Sequence, residues 1–289
     1  MNWTWATYIN SKTCNSRFGW NMFKLSSNPN ITWDIVEDNP NLIWVYEGLC
    51  YNTNITWDII CENEDKFESS RNSGFICANP NITWDIIQEN KHITPNYMEL
   101  SKNPCITWDI VEANPDCPWN FSYLSQNPNI TWDIVEANPD KRWDCYYLSF
   151  NPNITWDIVC ANPDKGWDYH NLCNNPNITW DIVEANPDRQ WNFNYLSRNP
   201  NITWDIVEAN PDRQWNFSYL SLNPNITWDI IEANPGCPWI DTNVSKNPNI
   251  TWDIVDANPH YQWNFRQLSA NKMSEHEHIK NKQLQYVLK

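Results

Sequence analysis

The stretch NPNITWDIVEANPD, residues 127–140, reads as a short helix bracketed by two Asn-Pro steps, and near-copies of it recur along most of the chain. Aligning the copies on the Trp of TWD gives Trp33, Trp57, Trp84, Trp108, Trp132, Trp156, Trp180, Trp204, Trp228 and Trp252. Each step is 24 residues except one of 27, whose extra residues fall in EDKFESSRNSGF (64–75), a polar segment expected to loop out or distort its unit. Each unit holds a half-unit echo, since NPNITWDIVEA and NPDKRWDCYYLSF both follow N-P-[N/D]-x-x-W-[N/D]. Two helices per unit follow. Asn-Pro is read as the stop, with Asn in the left-handed conformation and Pro excluding helix at the residue before it. The next Asn or Asp is read as the cap of the following helix. Pro95, Pro118 and Pro238 then fall in the first turn of the second helix, where Pro is tolerated.

At 100° per residue, Ile106 and Ile110 share one direction of the first helix, Trp108 and Val111 lie far round the other side, and Asp109 with Glu112 occupies the remaining stripe. In the second helix Trp119 and Tyr123 share a side, Phe121 and Leu124 lie further round, and Ser122 and Gln126 fill the leftover wedge. Helices this short cannot bury their faces within one unit, so stacking of successive units must supply the stability. The expected fold is an all-α solenoid of about ten 24-residue helix-turn-helix repeats. Stacked at ~10 Å per unit, it would be on the order of 100 Å long. Residues 1–27 read as a degenerate N-terminal capping repeat, 28–270 as the array with an irregular unit near 63–78, and 271–289 as a polar tail with a terminal helix as its structured option. A leucine-rich repeat has a similar period but wants an apolar residue two places after its ladder Asn; here Asn127 is followed at three by Ile130, and no alternating strand is present.

The tandem LSxNPNITWDIVxANPDxxWxFxYLS, covering roughly residues 28–269, resembles repeat proteins encoded by giant DNA viruses of the mimivirus type. The resemblance implies a viral origin, a repeat scaffold and a host cytoplasmic setting, and it contributes no catalytic or binding residues.

Composition narrows the function. The chain has 289 residues, 21 Trp and a formal net charge of −16, which argues against a phosphate-backbone partner. No run approaches the roughly 18 apolar residues of a membrane span, and MNWTWATYIN lacks the basic flank and apolar core of a signal peptide. The expectation is therefore an intracellular protein that is neither secreted nor membrane-bound. The ten Cys show no C-x-x-C pair; Cys61 and Cys160 stand in a Glu place, Cys105 in an Asn place and Cys145 in a Phe place. With five scattered His, they read as reduced thiols without metal or cofactor. The NIT sequon recurs from Asn30 to Asn249, but that Asn is better used as a helix cap than as a glycosylation site. The Asp column (Asp34 to Asp253) and the Glu column form an acidic ridge, with Asp suited to the first helical turn. Catalysis needs two carboxylates made different by their surroundings, whereas these are copied unit after unit. No Ser-His-Asp order, phosphate loop or nucleophile motif is present, so the chain is not read as an enzyme. Both Trp columns are read as core.

Variation within the array points elsewhere. The second-helix wedge reads Ser122, Tyr146, His170, Asn194, Ser218, Thr242, Arg266, and four residues later Gln126, Phe150, Asn174, Arg198, Leu222, Lys246, Ala270. Pairs at i, i+4 form one exposed stripe along the array. Phe150 and Leu222 are large apolar residues where solvent favours polar ones. The candidate site is therefore a protein-partner surface carried by Tyr146, Phe150, His170, Arg198, Leu222 and Arg266. A self-assembling structural protein and a modular single-strand RNA reader are the alternatives, the latter disfavoured by the charge.

Overall fold

The computed structural model describes residues 21–72 and 74–271, and every regular element among them is helical. Most units pair a six-residue first helix, such as Trp132–Ala137, with a shorter second helix, such as Cys145–Leu148; in one, Trp84–Glu89 and Tyr97–Lys102 are equally long. The caps differ from the expectation. Thr, not the sequon Asn, is the N-cap of the first helix: Thr155 is extended and its Oγ1 accepts from Ile158 N–H at 3.4 Å. The first-turn Asp follows at the second helical position, as the helix dipole favours. The second helix is capped in most units by the Asn or Asp after the second Trp, with Asp168 Oδ1 accepting from Asn171 N–H at 2.8 Å, whereas Val45 and Ile240 hold the cap position without a side-chain bond. Pro95, Pro118 and Pro238 precede those caps and lie outside the helices. Ile106 likewise precedes its helix, which begins at Trp108. The stop is not left-handed: Asn114 has φ −128° and ψ 60°, and its Nδ2 donates back to Ile110 O at 2.8 Å, closing the helix end with a side chain.

The first Asn of each NPN is a rung between units. Asn151 is fully buried; its Nδ2 donates to Ser125 O, Asn127 O and Ile130 O of the preceding unit at 2.9, 3.1 and 3.1 Å. Its Oδ1 accepts from Asn153 N–H at 2.8 Å. The sequon Asn adds a second rung, with Asn153 Nδ2 donating to Pro128 O at 2.7 Å and Ile130 O at 3.1 Å. A third rung is the buried Ser after the second helix: Ser125 Oγ accepts from Asp144 N–H at 2.9 Å, joining consecutive second helices. Cys50, Cys77 and Cys173 occupy this Ser column, and Cys173 Sγ takes Asn192 N–H at 3.3 Å. These ladders satisfy backbone groups that short helices leave unpaired, and a buried polar group left unpaired is costly. Around them lies one continuous core in which Leu148, Ile154 and Val159 recur in each unit.

The ladder does not end at the last unit. Asn28 Nδ2 donates to Ser269 O at 3.1 Å and Asn271 O at 2.8 Å, the same two positions that Asn127 reaches on Ser101 and Asn103. Asn21 N–H donates to Ser269 Oγ at 3.3 Å, continuing the Ser rung, and Lys24 Nζ donates to Gln267 Oε1 at 2.9 Å. The solenoid is a closed ring, not the open stack of ~100 Å that unit counting predicts. Eleven ladder asparagines, from Asn28 to Asn271, go round it, so each unit turns the chain by about 33°. The remainder of the expected capping repeat and tail, residues 1–20 and 272–289, lies outside the described residues.

The direction of curvature follows from what separates neighbours. Consecutive first helices are wedged apart by an indole from the following unit, Trp108 against Trp143 at 5.7 Å and Trp156 against Trp191 at 5.3 Å. Consecutive second helices touch directly. A Cβ on Gly48 would come within 2.7 Å of Phe23 O, and the rings of Tyr123 and Tyr147 are 5.7 Å apart. Units thick at the first helix and thin at the second bend toward the second, which therefore lines the inner arc. With neighbouring axes about 8–10 Å apart, the second-helix axes lie roughly 15 Å from the centre. Side chains then leave a bore on the order of 20 Å.

The irregular unit does not loop out. Glu64–Asn72 is a nine-residue helix, and its fully buried Phe67 fills the place of the second Trp, 6.1 Å from Trp33 and 5.1 Å from Tyr46. Gly74 then turns the chain with φ 71°, where a Cβ would lie 2.6 Å from Asn96 Cβ, and the unit's second helix shrinks to the 3-10 turn Phe75–Ala78.

Candidate interaction surface

The second helix projects three columns into the bore: the positions of Ser122, Tyr123 and Gln126. Tyr146 and His170 stand on Cys145–Leu148 and Tyr169–Leu172, Arg266 on Phe265–Leu268, and Phe150, Arg198 and Leu222 one residue past the capping Ser of their helices. Tyr146 is 51% exposed and Phe150 37%; their rings meet edge to face at 6.2 Å. His170 packs 5.1 Å from the Tyr195 ring of the next unit. Arg198 and Arg266 are exposed, and Leu222 is half-buried. The six share one face of the ring but not one patch: Tyr146 and Phe150 are close to diametrically opposite Arg266.

The same face carries residues that the repeat alignment missed. Eight large apolar side chains are exposed among the described residues, and six of them, Phe23, Tyr51, Phe75, Met98, Tyr146 and Phe150, lie in these three columns. Phe23, Tyr51, Phe75 and Met98 come from four consecutive units, with Phe23 and Tyr51 rings 6.0 Å apart. Lys24 belongs to the same arc. Burial, followed by repulsion from Lys246 and Arg266, pushes its pKa down. Lys246 is two units away, so the side chains converge as an inner arc requires.

Charge is segregated between the two arcs. Every Asp of the first-helix column, Asp34 to Asp253, is exposed on the outer arc. The bore columns hold Lys24, Lys102, Arg198, Lys246 and Arg266 against Glu47 and Glu99, and Glu99 is paired with Lys102 at 3.0 Å. Several other cations are committed to aromatic faces. Lys66, Lys165 and Arg189 lie 5.3 to 5.9 Å from the ring centres of Trp33, Trp132 and Trp156. The Trp columns are less buried than a core assignment implies. Trp84 and Trp132 are 8% exposed, but Trp108, Trp156 and Trp180 are half-buried, each lying across a junction with one face against the next unit's indole. Second-column indoles also close the preceding helix, as in Trp143 Nε1 to Asn138 O at 2.8 Å.

Concavities are open grooves between units. One of about 500 Å³ runs between Trp167, His170, Trp191 and Asn194, and a similar groove of about 530 Å³ follows Trp239 and Thr242. Burial pushes the thiols of Cys50 and Cys173 up to about 12 and about 11, so the buried members of the Ser column are protonated at neutral pH. No group of three His, Cys, Asp or Glu among the described residues could hold a metal ion, and no described helix is long and apolar enough to cross a membrane. No family model, curated protein or solved structure matches the chain.

Proposed function

We propose that this protein is a non-enzymatic, intracellular interaction scaffold that holds a protein partner on the inner face of its ring. The observation that carries this reading is the concentration of exposed large apolar side chains in the bore columns, where the array varies, while the outer acidic ridge is nearly constant. Apolar side chains left exposed in such numbers on one face mark a contact surface, and a different residue set in each unit supplies discrimination among partners. The resemblance of the repeat signature to viral repeat proteins supports a host or viral protein as the partner.

End-to-end self-assembly, the alternative raised by the repeats, is disfavoured because the two faces it would use are joined to each other. A single-strand RNA reader is disfavoured by the outer ring of carboxylates and the few bore cations. The test is affinity purification with the wild type and with the Phe150→Ser, Leu222→Ser double variant, each checked for native circular dichroism. Loss of the principal protein partner from the variant is the expected result; unchanged recovery removes these two positions from the contact.

A further inference from the structure

Three cations line the inner arc where the ring closes. Lys246, Arg266 and Lys24 come from three consecutive units, and Lys24 Nζ is anchored on Gln267 Oε1 at 2.9 Å. None of the three has a carboxylate partner among the described residues, in a chain of net charge −16. The next units round the inner arc present Phe23, Tyr51, Phe75 and Met98, each between 36% and 46% exposed. Basic and apolar halves thus adjoin, with half-buried Glu47 between them and Glu99, paired with Lys102 at 3.0 Å, beside Met98.

We propose that this arc, from Lys246 to Met98, is a docking groove for an extended acidic-apolar peptide segment of a protein partner, with carboxylates on the three cations and large apolar side chains on the four-residue apolar run. The inference rests on the interaction-scaffold reading and names the chemistry of its partner. The arc crosses five unit junctions, roughly 40–50 Å along the helix axes and less along the bore wall. At about 3.3 Å per residue this corresponds to roughly 10 to 14 residues of extended chain. Cations that repel one another along one arc are relieved by an incoming carboxylate, and complementary charge selects and orients the segment that brings it. An oligonucleotide fits less well. It carries a phosphate at every nucleotide, whereas cations occupy only half of this arc and the outer ring repels a polyanion.

The test is fluorescence anisotropy on the full chain with a labelled 12-residue peptide of four Glu followed by alternating Leu and Ser. Three comparison probes are its Glu→Lys counterpart, its Leu→Ser counterpart and a 12-nucleotide single-stranded DNA. The parent peptide should bind at least tenfold more tightly than either counterpart and than the DNA. Lys246→Glu with Arg266→Glu, which leaves the Lys24–Gln267 closure bond in place, should abolish the preference for Glu over Lys. Phe23→Ser with Met98→Ser should weaken the parent peptide at least tenfold while keeping that preference. Circular dichroism identical to wild type certifies each variant. Equal binding of the Glu and Lys peptides, tighter binding of the DNA, or a charge-reversed ring that keeps its Glu preference overturns the proposal. Should that happen while Phe150→Ser, Leu222→Ser still loses the natural partner, only the acidic-apolar chemistry fails and the scaffold reading stands.

Discussion

Replacing Asn151 by Asp changes one NH₂ group to an oxygen and nothing else in shape, which isolates the ladder. Oδ1 keeps its bond from Asn153 N–H at 2.8 Å, but the second oxygen now faces Ser125 O, Asn127 O and Ile130 O at about the 2.9 to 3.1 Å spacing of the donor it replaces. The wild-type amide shares two hydrogens among three acceptors. The ionised Asp has none, and the site is fully buried. A protonated Asp offers one hydrogen, so at least one rung is lost at any pH; at ~1–3 kcal/mol for a buried group left unpaired, the minimum cost is ~1–3 kcal/mol. At neutral pH the chain must either bury a carboxylate without a cation or bind a proton against a pKa of about 3.9 in the unfolded chain. Each unit by which the folded pKa is raised adds about 1.4 kcal/mol, for a total of roughly 3–6 kcal/mol. Because that folded pKa lies above the unfolded one, the protonated site's stability is retained below about pH 4 and lost as pH rises toward the folded value. Urea midpoints followed by Trp fluorescence at pH 4 and pH 7 measure both parts, with Arg198→Ala, expected to cost under ~0.5 kcal/mol, as the exposed control. A variant matching that control at both pH values would refute the ladder as a stabilising element.

Phe67→Ala should cost ~3–5 kcal/mol in the same urea assay, because the ring is fully buried in the Trp place of the irregular unit. Arg189→Ala should cost no more than ~1 kcal/mol, since its guanidinium covers only one half-buried indole at 5.9 Å. Alkylation followed by mass spectrometry at pH 8 should label exposed Cys61 and Cys160 first and leave Cys50 and Cys173 unmodified in the folded ring. Those two thiols have folded pKa values raised above the ordinary 9.0, so their contribution to stability is intact below pH 9. It should fall as pH rises through about 11 and about 12, and alkaline melting curves should be shallower for Cys173→Ser.

The period, the two helices per unit and the exposed wedge of the second helix were legible because each is a local pattern copied many times. The caps are not legible in the sequence because Asn can cap a helix, stop one or bridge two units, and a sequence does not distinguish these uses. Asn153 and Asn151 send their side chains 21 to 26 residues back along the chain, into carbonyls that exist as acceptors only after stacking. The closure was invisible for a related reason. Asn28 looks like any other ladder residue until the units are stacked and their curvature accumulates to a full turn. Half of the candidate surface lies in the least regular units: the degenerate first unit and the three-residue insertion put Phe23 and Phe75 out of the aligned columns, while Tyr51 and Met98 are in register but stand in units that depart from the consensus around them. The Ser column that unites Cys50, Cys77 and Cys173 does not stand out in the sequence because Ser and Cys look chemically unrelated, although both present a small buried acceptor to the next unit's N–H.

Closure is the claim on which the inner face, the charge segregation and the docking groove all depend, and small-angle X-ray scattering of the full chain tests it most directly. A ring of eleven units predicts a radius of gyration of roughly 20–25 Å, near that of a compact chain of this length. A distance distribution that falls to zero well short of 100 Å should accompany it. A straight stack of the same helices at ~10 Å per unit gives roughly 30 Å or more and a long linear tail. The account predicts the first profile, and the second would contradict it.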